Sequence, residues 1–144
     1  MLSETRAPVI GGIFRCAVPI RWGDLDAQNH VNNTVYFRYF EEARVQLFRQ
    51  AGLEFAANKV GLLVHASCDF MKPLQYPATV VVQLILTRIG RTSMHFDLVV
   101  ECQDEPGVAY AKGKNVIVGA GPENGLPQPW TPSEIAAFAA CFVK

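Results

Sequence analysis

Between Arg21 and Asn33 the chain reads RWGDLDAQNHVNN, which places two aspartates, a glutamine, three asparagines and a histidine at one junction. The junction falls between a strand pattern and a helix pattern. Two chemistries suit it. Asp24, Asp26, Asn29, Asn32 and Asn33 are turn formers and helix caps, and Asn29 tolerates left-handed backbone. The same residues could also form a site. The first N–H groups of a helix have no internal partner and carry partial positive charge, so a carbonyl resting there is polarised and its developing oxyanion held. A carboxylate nearby could attack that carbonyl or take a proton from water. Asp26 stands seven residues before Asn33, within reach if the loop folds back. Carbonyl polariser plus carboxylate is enough to hydrolyse an activated ester or thioester without serine or metal. Local chemistry alone leaves both readings open.

The flanking elements must position these groups. Phe14 to Trp22 reads as a strand, with Pro19 marking an edge or a bulge. From Asn33 to Gln50 the period becomes helical: Tyr36, Phe40, Ala43, Leu47 and Ala51 make one apolar stripe, widened by Val35, Phe37, Tyr39, Val45 and Phe48. A helix this apolar should be wrapped on most sides. Asn32 or Asn33 caps it and Gly52 stops it. Leu53 to Lys59 suggests a short second helix. Four strands are then expected, Leu62–Met71, Thr79–Arg88, Thr92–Cys102 and Val108–Val118, with tight connections at Ile89-Gly90-Arg91 and Asp104–Gly107. A Gly/Pro-rich loop leads to a short helix capped by Thr131, with Pro132 at its first position. Strands joined by tight turns pair antiparallel, and the economical cover for a helix apolar nearly all round is a strongly curved sheet. The expectation is one α+β domain over residues 1–144, about five antiparallel strands wrapped around one long central helix.

The stretch Asp24 to Arg44, DLDAQNHVNNTVYFRYFEEAR, resembles the signature of the hotdog-fold acyl-CoA thioesterases. More narrowly it is similar to the branch of 4-hydroxybenzoyl-CoA thioesterase and the YbgC and FadM proteins, whose pattern is close to D-x-D-x-x-G-H-x-N-N-x-x-Y-x-x-Y-x-E-x-A-R. Asp69-Phe70 with Pro73, and Ile89 to Ser93, resemble the family's strand punctuation. The resemblance implies that Asp26 is the catalytic carboxylate and that the backbone N–H at Asn33 polarises the thioester carbonyl. His30 is a further candidate, as a base or as a group that orders the loop. Val31, Asn32 and Asn29 would flank the substrate, and Arg91, with Arg88, Lys112 and Lys114 as further cations, is a candidate for the phosphates of coenzyme A. Asp24 is expected to act as a turn or supporting group. Glu41 and Glu42 are weaker catalytic candidates, with Arg38 and Arg44 as partners at helical spacing. The chain departs from the pattern at Asn29, where the family has glycine. The resemblance further implies a homodimer or homotetramer with sites at the subunit interface, an acyl-CoA substrate, and no cofactor beyond the coenzyme A of substrate and product. An enoyl-CoA hydratase or a non-catalytic acyl-thioester binding module on the same fold remain the alternatives.

Bulk properties exclude other classes. Thirteen basic and thirteen acidic residues balance, so no overall field points to nucleic acid or a membrane surface. No apolar run is long enough to span a bilayer and no signal peptide is visible, which makes a cytoplasmic protein the expectation. Cys16, Cys68, Cys102 and Cys141 form no CxxC pair and are expected to be free, mostly buried thiols. His30, His65 and His95 lack ligand spacing, so no metal is expected. No G-x-S-x-G elbow is present, and GAGPENG (119–125) departs from a dinucleotide loop.

Overall fold

The computed structural model describes residues 10–53 and 59–144. Five strands run β1 (Ile13–Pro19), β2 (Val60–Phe70), β3 (Thr79–Ile89), β4 (Ser93–Cys102) and β5 (Ala111–Ala120), with helix α1 (Asn33–Gln50) between β1 and β2 and helix α2 (Pro132–Ala139) near the end. They form one antiparallel sheet in the order β1-β3-β4-β5-β2. This is the α+β arrangement that the element order implied, and the hotdog fold that the resemblance implied. β1 and β2 are neighbours in sequence but occupy opposite edges, and α1 is the crossing between them. The expected short helix at Leu53–Lys59 falls largely on residues 54–58, outside the described residues.

Alternation along β3 and β4 turns Val80, Val82, Leu84, Leu86, Met94, Phe96, Leu98 and Val100 inward, all at most 1% exposed. α1 lays Tyr36, Tyr39, Phe40, Ala43 and Leu47 against that face. Phe37 stays 38% exposed, so the chain by itself does not wrap the helix on most sides as its composition suggested. Close packing of α1 on the sheet depends on two small residues. A Cβ at Gly61 would meet the Phe48 ring, and one at Gly113 would meet both the Ser67 carbonyl and the Phe40 ring.

Strand ends differ from the sequence reading by at most three residues, and the start of β3 at Thr79 and the end of β4 at Cys102 coincide with it. The two largest changes are three residues each: β5 starts at Ala111, and β1 stops at Pro19, where Trp22–Asp24 forms a single 3₁₀ turn instead of continuing the strand. β1 is an edge strand, where a proline is tolerated. Asn32 is the cap of α1, and Gly52 ends it at φ +73°. Thr131 caps α2 as expected, and Glu134 completes a capping box with it. All four cysteines are free; three are buried and Cys68 is half-buried. Among the described residues no helix is long and apolar enough to cross a membrane.

Candidate active site

The polar junction folds into a small closed loop. The Asp26 N–H donates to the His30 carbonyl (2.8 Å), Leu25 bridges Val31, and the Asn32 N–H donates to the Asp24 carbonyl (2.9 Å). The turn at its tip requires Asn29 at φ +61°, a left-handed conformation that asparagine accepts better than other side-chain-bearing residues. The Val31 N–H ties the loop to the segment after β2 through the Leu74 carbonyl (2.9 Å), and Val31 itself is buried.

Asp26 is held by its own loop. Its Oδ1 accepts from the Gln28 N–H (2.8 Å) and the His30 N–H (3.3 Å). Oδ2 has no donor among the described residues. One oxygen therefore fixes the carboxylate and the other stays available, as a nucleophile or a general base requires.

The helix start is arranged in a complementary way. The Asn32 side chain accepts from both the N–H (2.9 Å) and the hydroxyl (2.8 Å) of Thr34. The cap thus satisfies the second helical residue and leaves the Asn33 N–H, the first, without an acceptor among the described residues. That free amide sits at the positive end of an 18-residue helix.

Both groups line one cleft of about 470 Å³, together with Gln28, His30, Val31, Asn32 and Tyr36 on one side and Phe70, Met71, Lys72 and Pro73 on the other. Tyr36 packs edge-on against Phe70, with ring centroids 4.9 Å apart, at the cleft wall. Burial pushes the Tyr36 phenol up to about 12, so it is a neutral donor at any working pH. The His30 ring makes no hydrogen bond among the described residues; only the backbone of His30 is tied into the loop.

Of the residues singled out from sequence, the structure brings Asp26, His30, Val31, Asn32 and Asn33 together. Asn29 turns the backbone but does not line the cleft. Arg91 lies in the β3–β4 hairpin, beside the end of β4 that pairs with Val118 and, through it, Leu62 of β2; the cleft lies at the Phe70 end of β2. Within one chain the two are at opposite ends of the sheet. Glu41 and Glu42 do not line the cleft either. The expected helical ion pairs are replaced: Arg44 donates to Asn115 across the core (2.6 Å), and Glu42 accepts from Gln46 (3.0 Å). Asp24 is buried and faces away from the cleft. Its Oδ2 accepts from the Tyr39 hydroxyl (2.8 Å) and the Arg21 N–H (2.9 Å).

The opposite wall of the cleft, Phe70 to Pro73, was not identified from sequence. The only signal was the pattern Asp69-Phe70 with Pro73, which marks a strand end. Lys72 is set there by its main-chain N–H, which donates to the Tyr110 carbonyl (3.0 Å), while its ammonium lies 3.5 Å from Glu105 and over the Tyr110 ring.

The family model of the thioesterase-like superfamily matches residues 20–138. A protein of Aquifex aeolicus named “Putative esterase” is 33% identical over 113 residues, which span 76% of this chain and 88% of the relative. A Pseudomonas aeruginosa structure described as “a putative Thioesterase” superposes with a TM-score of 0.83 at 34% identity, covering 88% of this chain and 98% of its own. A Xanthomonas campestris structure described as “A putative acyl-CoA thioesterase” gives a TM-score of 0.67 at 30% identity, covering 72% and 89%.

Proposed function

This chain belongs to the thioesterase-like superfamily, a family of thioester hydrolases, and we propose that its own reaction is the hydrolysis of a small or fatty acyl-CoA to free acid and CoA. The observation that carries the reading is the pairing, in one cleft, of a carboxylate with one free oxygen and a helix-start amide with no acceptor.

The thioester carbonyl oxygen rests on the Asn33 N–H, which draws charge onto that oxygen as the tetrahedral intermediate forms. Asp26 either attacks the carbonyl carbon, expelling the CoA thiolate and leaving a mixed anhydride that water opens, or removes a proton from a water that attacks directly. Both routes end in the same acid and thiol. His30 lines the same cleft and is proposed to order the loop or to contact the substrate. No metal is required by either route.

Phe70, at the cleft wall, ends β2, a free sheet edge along which Leu62, Leu63 and Val64 are exposed. Such an edge invites a second strand. We read it as the seam of a homodimer in which β2 pairs antiparallel with its copy, the dimer being free to associate further into a tetramer. That pairing lays the Leu62 end of one β2 beside the Phe70 end of the other, and so brings the partner's Arg91 to the cleft side, where its guanidinium could meet the CoA phosphates. The four free cysteines agree with a cytoplasmic setting.

Thiol release from short, long and aromatic acyl-CoAs, measured on wild type and Asp26→Asn, tests the proposal. The expected result is turnover by wild type and a loss of about 10²- to 10⁴-fold in the folded variant. Equal activity in both proteins would remove Asp26 from the mechanism. Tight binding with no turnover by either would make the chain an acyl-thioester binding module.

A further inference from the structure

Asp24 has no part in the chemistry above, yet it is a carboxylate only 9% exposed in a loop made mostly of exposed residues. The structure assigns it a positioning role, in which Asp24 and Tyr39 together hold the Asp26 turn and the first amide of α1 in one frame. The inference rests on the thioesterase reading of the cleft.

Asp24 grips α1 at two levels. Its side chain accepts from the Tyr39 hydroxyl, on the second turn of the helix, and from the Arg21 N–H at the start of the 3₁₀ turn. Its carbonyl accepts from the N–H of Asn32, the residue that caps the helix. Above this base the loop closes through the Leu25–Val31 bridge and the Asp26–His30 hydrogen bond. The segment from Asp24 to Asn32 is therefore a small hairpin clamped at its foot. Asp26 projects from one arm, and Asn33 follows directly on the other. A shift of the foot changes the distance between the attacking carboxylate and the polarising amide, and a misplacement near 1 Å is enough to cost about 10²-fold in rate.

Tyr39 suits the role. It is 3% exposed, and burial first, then the bond to Asp24, push its phenol far above the ordinary range. It stays a protonated donor throughout the working pH range. Neither residue lines the catalytic cleft. Both face a separate groove between β1 and α1, beside Val18, Arg38 and Glu42. The pair acts through the backbone it holds and does not touch substrate.

The test compares Tyr39→Phe, Asp24→Asn and the double variant with wild type and with Leu84→Val, a core change on β3 that lowers stability away from the loop. Per folded molecule, Tyr39→Phe should lower kcat about tenfold with KM within about twofold, because ground-state binding survives while alignment does not. The double variant should be no slower than the worse single one, the signature of two residues acting as a unit. Leu84→Val should lose melting temperature without losing kcat. Amide exchange supplies a readout independent of turnover: the Asp26 and Asn32 N–H groups should exchange faster in Tyr39→Phe and not in Leu84→Val. If kcat simply follows melting temperature in every variant, or the loop amides exchange alike, the pair is packing only and the proposal falls. If wild type hydrolyses no thioester, the functional reading fails by itself, and the exchange rates still decide whether the pair holds the loop.

Discussion

At the scale of single residues, the site is built from what each side chain leaves unsatisfied. Asn32 caps the second helical N–H and so frees the first; Asp26 binds its own loop with one oxygen and offers the other. This predicts an unusual tolerance. Asn33 is the first helical residue, and Asn32 before it has φ −59° and ψ 137°, a conformation that suits a residue preceding proline. Asn33→Pro should therefore fold, with helix content by circular dichroism unchanged, while kcat falls about 10²- to 10³-fold for want of the amide hydrogen. Cys68 gives a second residue-level expectation. Burial, with Asp69 adding to it, raises its thiol to about 11, so only about one molecule in a thousand is thiolate at pH 8. Alkylation of the native protein should be slow and should become fast on denaturation; rapid native labelling would contradict the burial described. The meeting of Asp26, Asn32 and Asn33 at one junction, with Asn32 as the cap, was legible in sequence because it depends on spacing within a few positions. Asp24 is expected from sequence to be a turn or supporting group, but its partner Tyr39 is not legible there, since it stands fifteen positions away and meets Asp24 only once the helix is docked.

At the scale of elements, a helix can lie this close to the sheet only where side chains are absent. A methyl group at Gly113 would be driven into the backbone carbonyl of Ser67 on the neighbouring strand, which cannot rotate aside, and into the Phe40 ring. Gly113→Ala should lower stability by about 1–3 kcal/mol, seen as a fall in melting temperature, where an exposed glycine such as Gly23 should accept alanine with little change. The alternation of β3 and β4 and the period of α1 made these elements readable, because burial on one face imposes a pattern. The end of β1 was misplaced for the same physical reason: Ile20 and Trp22 continue an alternating pattern, but after Pro19 the chain turns, and Trp22 is left exposed. The bulge that shifts register between Leu63 and His65 left no trace in a run of apolar residues. Helical spacing pairs Arg44 with a glutamate of its own helix, whereas docking brings it to Asn115 on β5.

At the scale of the whole molecule, the cleft has walls from regions far apart in sequence, and the second wall, Phe70 to Pro73, could be recognised only once β2 was placed at the sheet edge. The proposed seam along β2 predicts a mass in solution, by light scattering, of two or four chains. Val64 is 58% exposed on that edge, and Val64→Asp should yield a monomer with kcat/KM reduced at least tenfold although Asp26 is intact. A fully active monomer would show that one chain makes a complete site. The placing of β1 and β2 at opposite edges also bears on how the protein is born. The cleft loop leaves the ribosome before the sheet can close, because β1 must wait for β3, with Pro19 pairing only to Thr79, and β2 must wait for β5. At about 5–20 residues per second, the nascent chain carries an apolar helix and an unpartnered strand for several seconds. A chaperone that shelters α1 over that interval would raise the yield of active enzyme without changing the activity of any molecule already folded.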